Sequence, residues 1–221
     1  MAAVATTLAV AAVGIGWFFV QQGGDADSSP AVPASTPTAA AIELVPGETV
    51  GSHLTPSLVA TAPKQWAVAN DGAYVNLGSD DGMFIEIDGP LLQVFDPKTS
   101  SGTDIPPDGF ANWLRDHPWL TVLDDREVLI DGERFPQLTV KVVKGFYKPE
   151  LGSVVSLGRS ADMAESGRWP QIAEGRVLTQ TVLEVDGETM VVSAYGAEDD
   201  EQRAELDAAQ HMVLSTMELP D

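Results

Sequence analysis

The side chains of this sequence best suited to chemistry are three histidines, a scatter of carboxylates and a local group of lysines. His117 stands between a short apolar-periodic segment and Pro118, a position from which an imidazole can serve as ligand or base. The simpler role is a helix C-terminal cap, with the ring meeting the negative end of the helix dipole. That role is preferred, because no second His or carboxylate stands at ligand spacing from it. His53 and His211 are isolated in the sequence. Asp80, Asp81, Glu86 and Asp88 lack the spacing and glycine of a calcium loop. They read as turn and strand-face acids, with weak cation binding as the alternative. Ser156 and Ser193 have no Gly-x-Ser-x-Gly setting, and there is neither a phosphate-binding loop nor a dinucleotide fingerprint. No catalytic, cofactor or metal-binding residue is therefore assigned.

Seven of the 12 basic residues fall between Arg134 and Arg176. Lys141, Lys144 and Lys148, with Trp169 nearby, form a candidate binding rim on an otherwise acidic protein. Ordinary solvation of a strand and loop beside core aromatics is the competing explanation, and the better supported one.

The elements that position these residues follow from punctuation. Phe110, Trp113 and Leu114 share one face of a helix that Pro118 must stop, since His117 leaves the α region before a proline. Pro106-Pro107 suit its first turn, with Asp104 or Asp108 as capping oxygen. Asp131-Gly132, between apolar runs, predicts a hairpin, and Leu138, Val140 and Val142 alternate on the returning strand. The stretch Ile105 to Val143 thus reads as the structural hub. Asp186-Gly187 predicts a second hairpin. Earlier in the chain, short strands are expected near Leu58–Ala62, Trp66–Ala69, Tyr74–Leu77, Met83–Ile87 and Leu91–Phe95, after a polar lead-in over residues 42–57. Glu198 to Glu201 precede a final helix with an apolar stripe of Leu206, Ala209 and Val213, and Met217–Leu219 reads as a closing strand. The sum is an α+β domain over residues 42–221: a mainly antiparallel sheet with two packed helices.

Ahead of it, Ala2 to Val20 carries no charged side chain. A helix over that span is about 28 Å long, close to the hydrocarbon thickness of a bilayer. Residues 1–20 read as one N-terminal transmembrane helix, preferred over a cleaved signal peptide because no small-x-small site follows directly. The missing basic flank points to a start upstream of Met1. Residues 21–41 are a Pro/Ala/Ser/Thr linker, too poor in large apolar side chains to fold. The expected location is the cell membrane, single-pass, with the C-terminal domain extracytoplasmic.

A formal charge of −21, from 33 acidic and 12 basic residues, repels phosphate backbones, so nucleic acid is not an expected partner. Zero cysteine removes disulfides, thiolate metal sites, cysteine nucleophiles and a lipidation cysteine.

Four short patterns, in order, resemble a group of actinobacterial membrane-anchored extracytoplasmic domains. They are Pro63-Lys64-Gln65-Trp66, the Phe110–Val122 segment with its Trp-Leu and His-Pro pairs, Val185-Asp186-Gly187, and Ala209-Gln210 with Leu214-Ser215. At fold level this order is similar to the Mog1/PsbP-like family, which includes the LpqN-type lipoproteins. The resemblance spans roughly Val45 to Leu219 and implies fold, location and a binding or accessory role. The chain departs from the LpqN-type lipoproteins in lacking the lipidation cysteine, so a transmembrane segment would replace the lipid. The expected function is a membrane-anchored extracytoplasmic binding or accessory module for a protein or cell-envelope partner. Against it stand a hydrolase or metal-dependent enzyme using His117 with spatially adjacent carboxylates, and a passive spacer.

Overall fold

The computed structural model describes residues 44–71, 74–99, 101–148, 152–160 and 172–220. Its centre is built from the two Asp-Gly hairpins. Strands β8 (Leu120–Ile130) and β9 (Glu133–Val142) join through Asp131 and Gly132, with φ of 48° and 84°. Strands β14 (Val177–Val185) and β15 (Glu188–Tyr195) join through Asp186 and Gly187, with φ of 53° and 79°. Two successive positive φ values match the turn to the right-handed twist of the flanking strands, and Asp-Gly tolerates them best. The hairpins fuse where β9 pairs β14, Leu138 opposite Gln180 and Val140 opposite Leu178. Beyond β15 the sheet continues through β5 (Phe84–Asp88), β4 (Tyr74–Gly78) and β3 (Ala67–Asp71). The order is β3-β4-β5-β15-β14-β9-β8, antiparallel throughout.

Because side chains alternate across a sheet, this register sorts them onto two faces. One face carries Val75, Leu77, Ile85, Ile87, Leu183, Met190, Val192 and Ala194, buried against the last helix, α2 (Asp200–Ser215). That helix contributes Leu206, Ala209, Val213 and Leu214. Asp199 caps it, accepting the Gln202 N–H at 2.9 Å, and Asp200 and Glu201 occupy the first turn as expected. Strands β1 (Pro46–Val50) and β2 (Ala60–Pro63) close this side, with Val50, Leu58, Ala60 and Trp66 in the same core.

The opposite face carries Leu138, Val140, Val142, Leu178, Val182 and Val191. Helix α1 (Phe110–Asp116) lays Phe110 and Leu114 on it. Seven residues are too few for a helix stable on its own, so this burial holds it, at roughly 1.5–3 kcal/mol per large apolar side chain. Strand β6 (Leu91–Asp96) joins the same layer, flanked by β7 (Ser101–Asp104) and β12 (Gly158–Ser160). A third small sheet is formed by β10 (Phe146–Lys148), β11 (Gly152–Val155) and β13 (Ile172–Ala173).

The α+β class and the mainly antiparallel sheet packed by α1 and α2 agree with the expectation. The transmembrane helix expected over residues 1–20 lies outside the described residues. Four local expectations are corrected. Neither Asp104 nor Asp108 caps α1: Gly109 is the N-cap and no side chain fills it, because Pro106-Pro107 form a turn before the helix, closed by Gly109 N–H to the Pro106 carbonyl at 2.8 Å. Residues 42–57 are more than a lead-in, since they hold β1. The Leu91–Phe95 strand belongs to its own small sheet. Met217–Leu219 makes one bridge, Val59 to Glu218, with no strand around it.

Two glycines separate turn strain from steric contact. A Cβ on Gly132 would meet nothing within 4 Å, whereas one on Gly51, also at positive φ, would lie 1.8 Å from the Leu58 carbonyl oxygen. Gly132→Ala should therefore cost about 1–2 kcal/mol of backbone strain in urea denaturation. Gly51→Ala should cost more than roughly 4 kcal/mol or prevent folding. Equal losses would show that the β1–β2 connection does not make this close approach.

Candidate functional site

His117 is the C-cap of α1, and its backbone N–H reaches the Leu114 carbonyl at 3.4 Å. The imidazole is 4% exposed. It lies edge-on to Trp113 at 4.6 Å between centroids and to Trp119 at 6.1 Å. Trp113 in turn stacks on Phe110. The Trp119 backbone N–H donates to His117 Nδ1 at 3.2 Å, so the neutral ring carries its proton on Nε2, a buried atom with no partner among the described residues. Burial lowers the pKa to about 4, and no charged group contributes to the shift. The ring is therefore neutral at pH 7. The expected imidazolium at the helix dipole is replaced by a neutral aromatic packed between tryptophans, with the capping done by the backbone.

The other histidines do not join it. His53 and His211 are exposed, and His211 lies on α2, across the sheet from α1. Among the described residues no three His, Cys, Asp or Glu side chains gather as metal ligands. Of the candidate rim, Lys141 is exposed near the end of β9, opposite Thr121 and Val177, and Lys144 is exposed just beyond that strand. Lys148 ends β10, but its side chain and all of Trp169 lie outside the described residues. Arg134 and Arg176, at the ends of the same basic stretch, pair with Glu127 at 3.2 Å and Glu198 at 3.1 Å.

What the fold does bring together is a group of acids, tyrosines and amides on the α1 face. Phe84, Glu86 and Asp88 alternate with buried Ile85 and Ile87 along β5, so both carboxyls share one face. Across β4, Asn76 lies opposite Glu86 and Tyr74 opposite Asp88. Across β15, Ser193 lies opposite Glu86 and Tyr195 opposite Phe84. Asn76 Nδ2 donates to Glu86 Oε1 at 2.8 Å, and the Tyr195 hydroxyl also donates to Glu86. Phe84 and Tyr195 stack at 5.6 Å. Both acids are half-buried as residues, with Asp88 Oδ1 shut away from solvent and without a partner among the described residues. Burial raises both carboxyl pKa values, against the lowering effect of the two hydrogen bonds on Glu86. Asp88 is raised well above its ordinary range, helped by the charge of Glu86. Tyr195 is pushed up by burial first, then by Glu86. Asp80 and Asp81, by contrast, are exposed turn residues.

The sequence carries part of this signal. Alternation alone places Glu86 and Asp88 on one face. It does not say that the face is covered, nor that Tyr195 and Gln180 arrive there from a hairpin about a hundred residues later. Two shallow grooves lie on the described surface. One, about 400 Å³, is lined by Val45, Pro46, Pro63, Lys64 and Trp66. The other, about 390 Å³, sits at the start of α1 between Pro106, Pro107, Phe110, Pro136, Val182 and Glu184.

No protein-family model and no curated protein matches the chain. Among solved structures, the Saccharomyces cerevisiae Ran-binding protein Mog1p is similar to it with a TM-score of 0.46 and 11% identity, over 81% of this chain and 97% of that one. Cyanobacterial PsbP from Synechocystis sp. is similar with a TM-score of 0.37 and 12% identity, over 85% of this chain and 99% of that one. No partner, ligand or activity passes from either to this chain.

The setting of His117 has a measurable consequence. Between pH 6.5 and about 4 the unfolded chain binds a proton that the folded ring refuses, so stability is lost as pH falls through that window. In His117→Phe, which keeps a ring between the tryptophans, that loss should vanish. Relative to the variant, the parent should lose about 2–3 kcal/mol between pH 7 and pH 4.5 in urea denaturation. Parallel profiles would place the imidazole in solvent.

Proposed function

We propose that this chain is a membrane-anchored extracytoplasmic binding or accessory module. The observation that carries the recognition part is the groove at the start of α1. It is open and shallow, with Pro106, Pro107, Pro136 and Val182 on its walls and Glu184 at its edge. Such a surface suits contact with another macromolecule better than enclosure of a small substrate. His117, the side chain best placed in sequence for acid–base work, is occupied as a neutral packing element. The partner in this reading is a protein or an envelope component. Anchoring and location rest on the uncharged Ala2–Val20 segment and the linker that follows it. No helix among the described residues is long and apolar enough to cross a membrane.

The full chain expressed in its host should sediment with membranes and resist alkaline carbonate extraction. Deleting residues 2–20 should release it, and protease added to intact cells should digest the domain. Release of the full-length, uncleaved chain by carbonate would overturn the anchor. Protection of the domain until the cells are lysed would overturn the outward orientation. For recognition, chemical cross-linking in intact cells should yield a defined adduct that Ala111→Arg and Glu184→Lys abolish together.

A further inference from the structure

Strand β8 is the outer strand of the seven-stranded sheet, with β9 as its sole neighbour among the described residues. The Asp131-Gly132 turn fixes which of its backbone groups are spent. Both turn residues have positive φ, so Ile130 and Glu133 close the hairpin as a hydrogen-bonded pair. Bonded and non-bonded pairs alternate along an antiparallel ladder. Ile130, Val128 and Arg126 therefore bond β9, opposite Glu133, Phe135 and Gln137. Leu129, Glu127 and Asp125 turn their N–H and C=O groups outward, and no described backbone group bonds them there. The bulge between Val122 and Asp124 ends this regular stretch. Asp125 and Glu127 are exposed, Leu129 is 65% exposed, and Leu123, at the bulge, is 54% exposed. Sheets commonly blunt an open edge with a short strand or a proline. The far edge, β3, is five residues long, whereas β8 has 11 and no proline.

We propose that the β8 edge from Asp125 to Leu129 docks an extended segment of another protein, added as an antiparallel strand, with basic side chains opposite Asp125 and Glu127 and an apolar one opposite Leu129. In such an addition backbone bonds give affinity and alternate side chains give selectivity. Residues that face each other across the new pair share one side of the sheet, so Asp125, Glu127 and Leu129 form the selecting row. Asp125 already holds Arg115 at 2.7 Å, and Glu127 holds Arg134 at 3.2 Å. Both pairs are exposed and hold weakly, so each carboxylate can take a second cation. A net charge of −21 draws a basic segment toward the edge. A second copy of this chain fits badly. Two-fold symmetry makes the pairing antiparallel and sets one residue against its own copy. Because the outward groups belong to alternate residues, a pairing that uses the middle of the strand puts Asp125, Arg126 or Glu127 at that point. Each choice sets like charges face to face, and Arg126 at the centre also sets Asp125 against Glu127. The edge shares no residue with the groove at the start of α1 and does not depend on it.

The full chain in mild detergent is followed by amide hydrogen exchange and by the anisotropy of a labelled probe, the blocked peptide Thr-Leu-Thr-Lys-Thr-Lys-Thr. In the free chain the Asp125, Glu127 and Leu129 amides should exchange fast, and those of Arg126 and Val128 slowly. The peptide should bind saturably, less tightly as salt rises, and slow the outward amides about tenfold or more. Glu127→Pro removes an outward N–H and spares the β9 ladder. It should leave the urea midpoint near that of the parent and abolish binding. Glu127→Lys should weaken binding about tenfold or more. The same peptide N-methylated at its leucine and lysines keeps the charge but loses the bonds to β8, and should not bind the parent. Equal binding of the methylated peptide, or full binding by Glu127→Pro, would overturn the proposal by reducing it to charge attraction. Absence of saturable binding at millimolar peptide would overturn it as well. Outward amides already protected in the free chain would overturn it too. Protection that grows with protein concentration would give the edge to a second copy, and constant protection would give it to this chain itself.

Discussion

The pairing of β14 with β15 is the interaction on which the rest of the molecule depends. Both strands are buried on both faces almost from end to end. A helix covers each side of the sheet they centre. Everything else attaches to this pair: β9 and β8 on one side, β5, β4 and β3 on the other. Burial on both faces sets a strict condition. Each polar side chain that the pair carries must find a partner inside the protein, because no water is there to supply one.

The two faces meet that condition differently. On the α2 face, Thr139 and Thr179 bond each other at 3.0 Å, and Gln137 donates to Thr181 at 2.9 Å while accepting from Arg126 at 2.8 Å. The row ends at the sheet edge on an exposed guanidinium, so it is discharged to solvent. On the α1 face the row runs the other way, from Gln180 through Ser193 to Glu86, and ends among carboxyls. Across β4 it closes on Asn76, whose Nδ2 donates to Glu86. The same sheet geometry therefore carries one polar ladder out to solvent at the sheet edge and ends the other on a half-buried carboxyl. Burial, which raises both carboxyl pKa values, sets Glu86 and Asp88 apart from exposed acids such as Asp80 and Asp81.

How much of this was legible follows the range of the interactions. The Asp-Gly turns, the stop at Pro118 and the acidic start of α2 are decided within a few residues, and sequence chemistry suffices for them. The start of α1 is also local but went differently. Two prolines and a glycine made a separate turn, which left Asp104 at the end of β7 and Asp108 with its carbonyl bonded to Asn112. The assignment of β6 to its own sheet, the neutral state of His117 and the acid-rich row need pairings between distant strands or burial by a second layer. Lys141 and Lys144 show the converse. They are close in sequence and exposed, yet they come from different settings, one on a strand face and one beyond its end.

The buried titrating groups on the α1 face also oppose one another. His117 refuses a proton that the unfolded chain would take, so it favours the fold as pH rises from about 4 to 6.5. Glu86 and Asp88 hold protons that the unfolded chain would release, so they favour the fold as pH falls toward the ordinary carboxyl range near pH 4. In the mildly acidic region the contributions have opposite signs. The pH dependence of stability there is the difference between the two, so its slope does not count the buried groups that titrate.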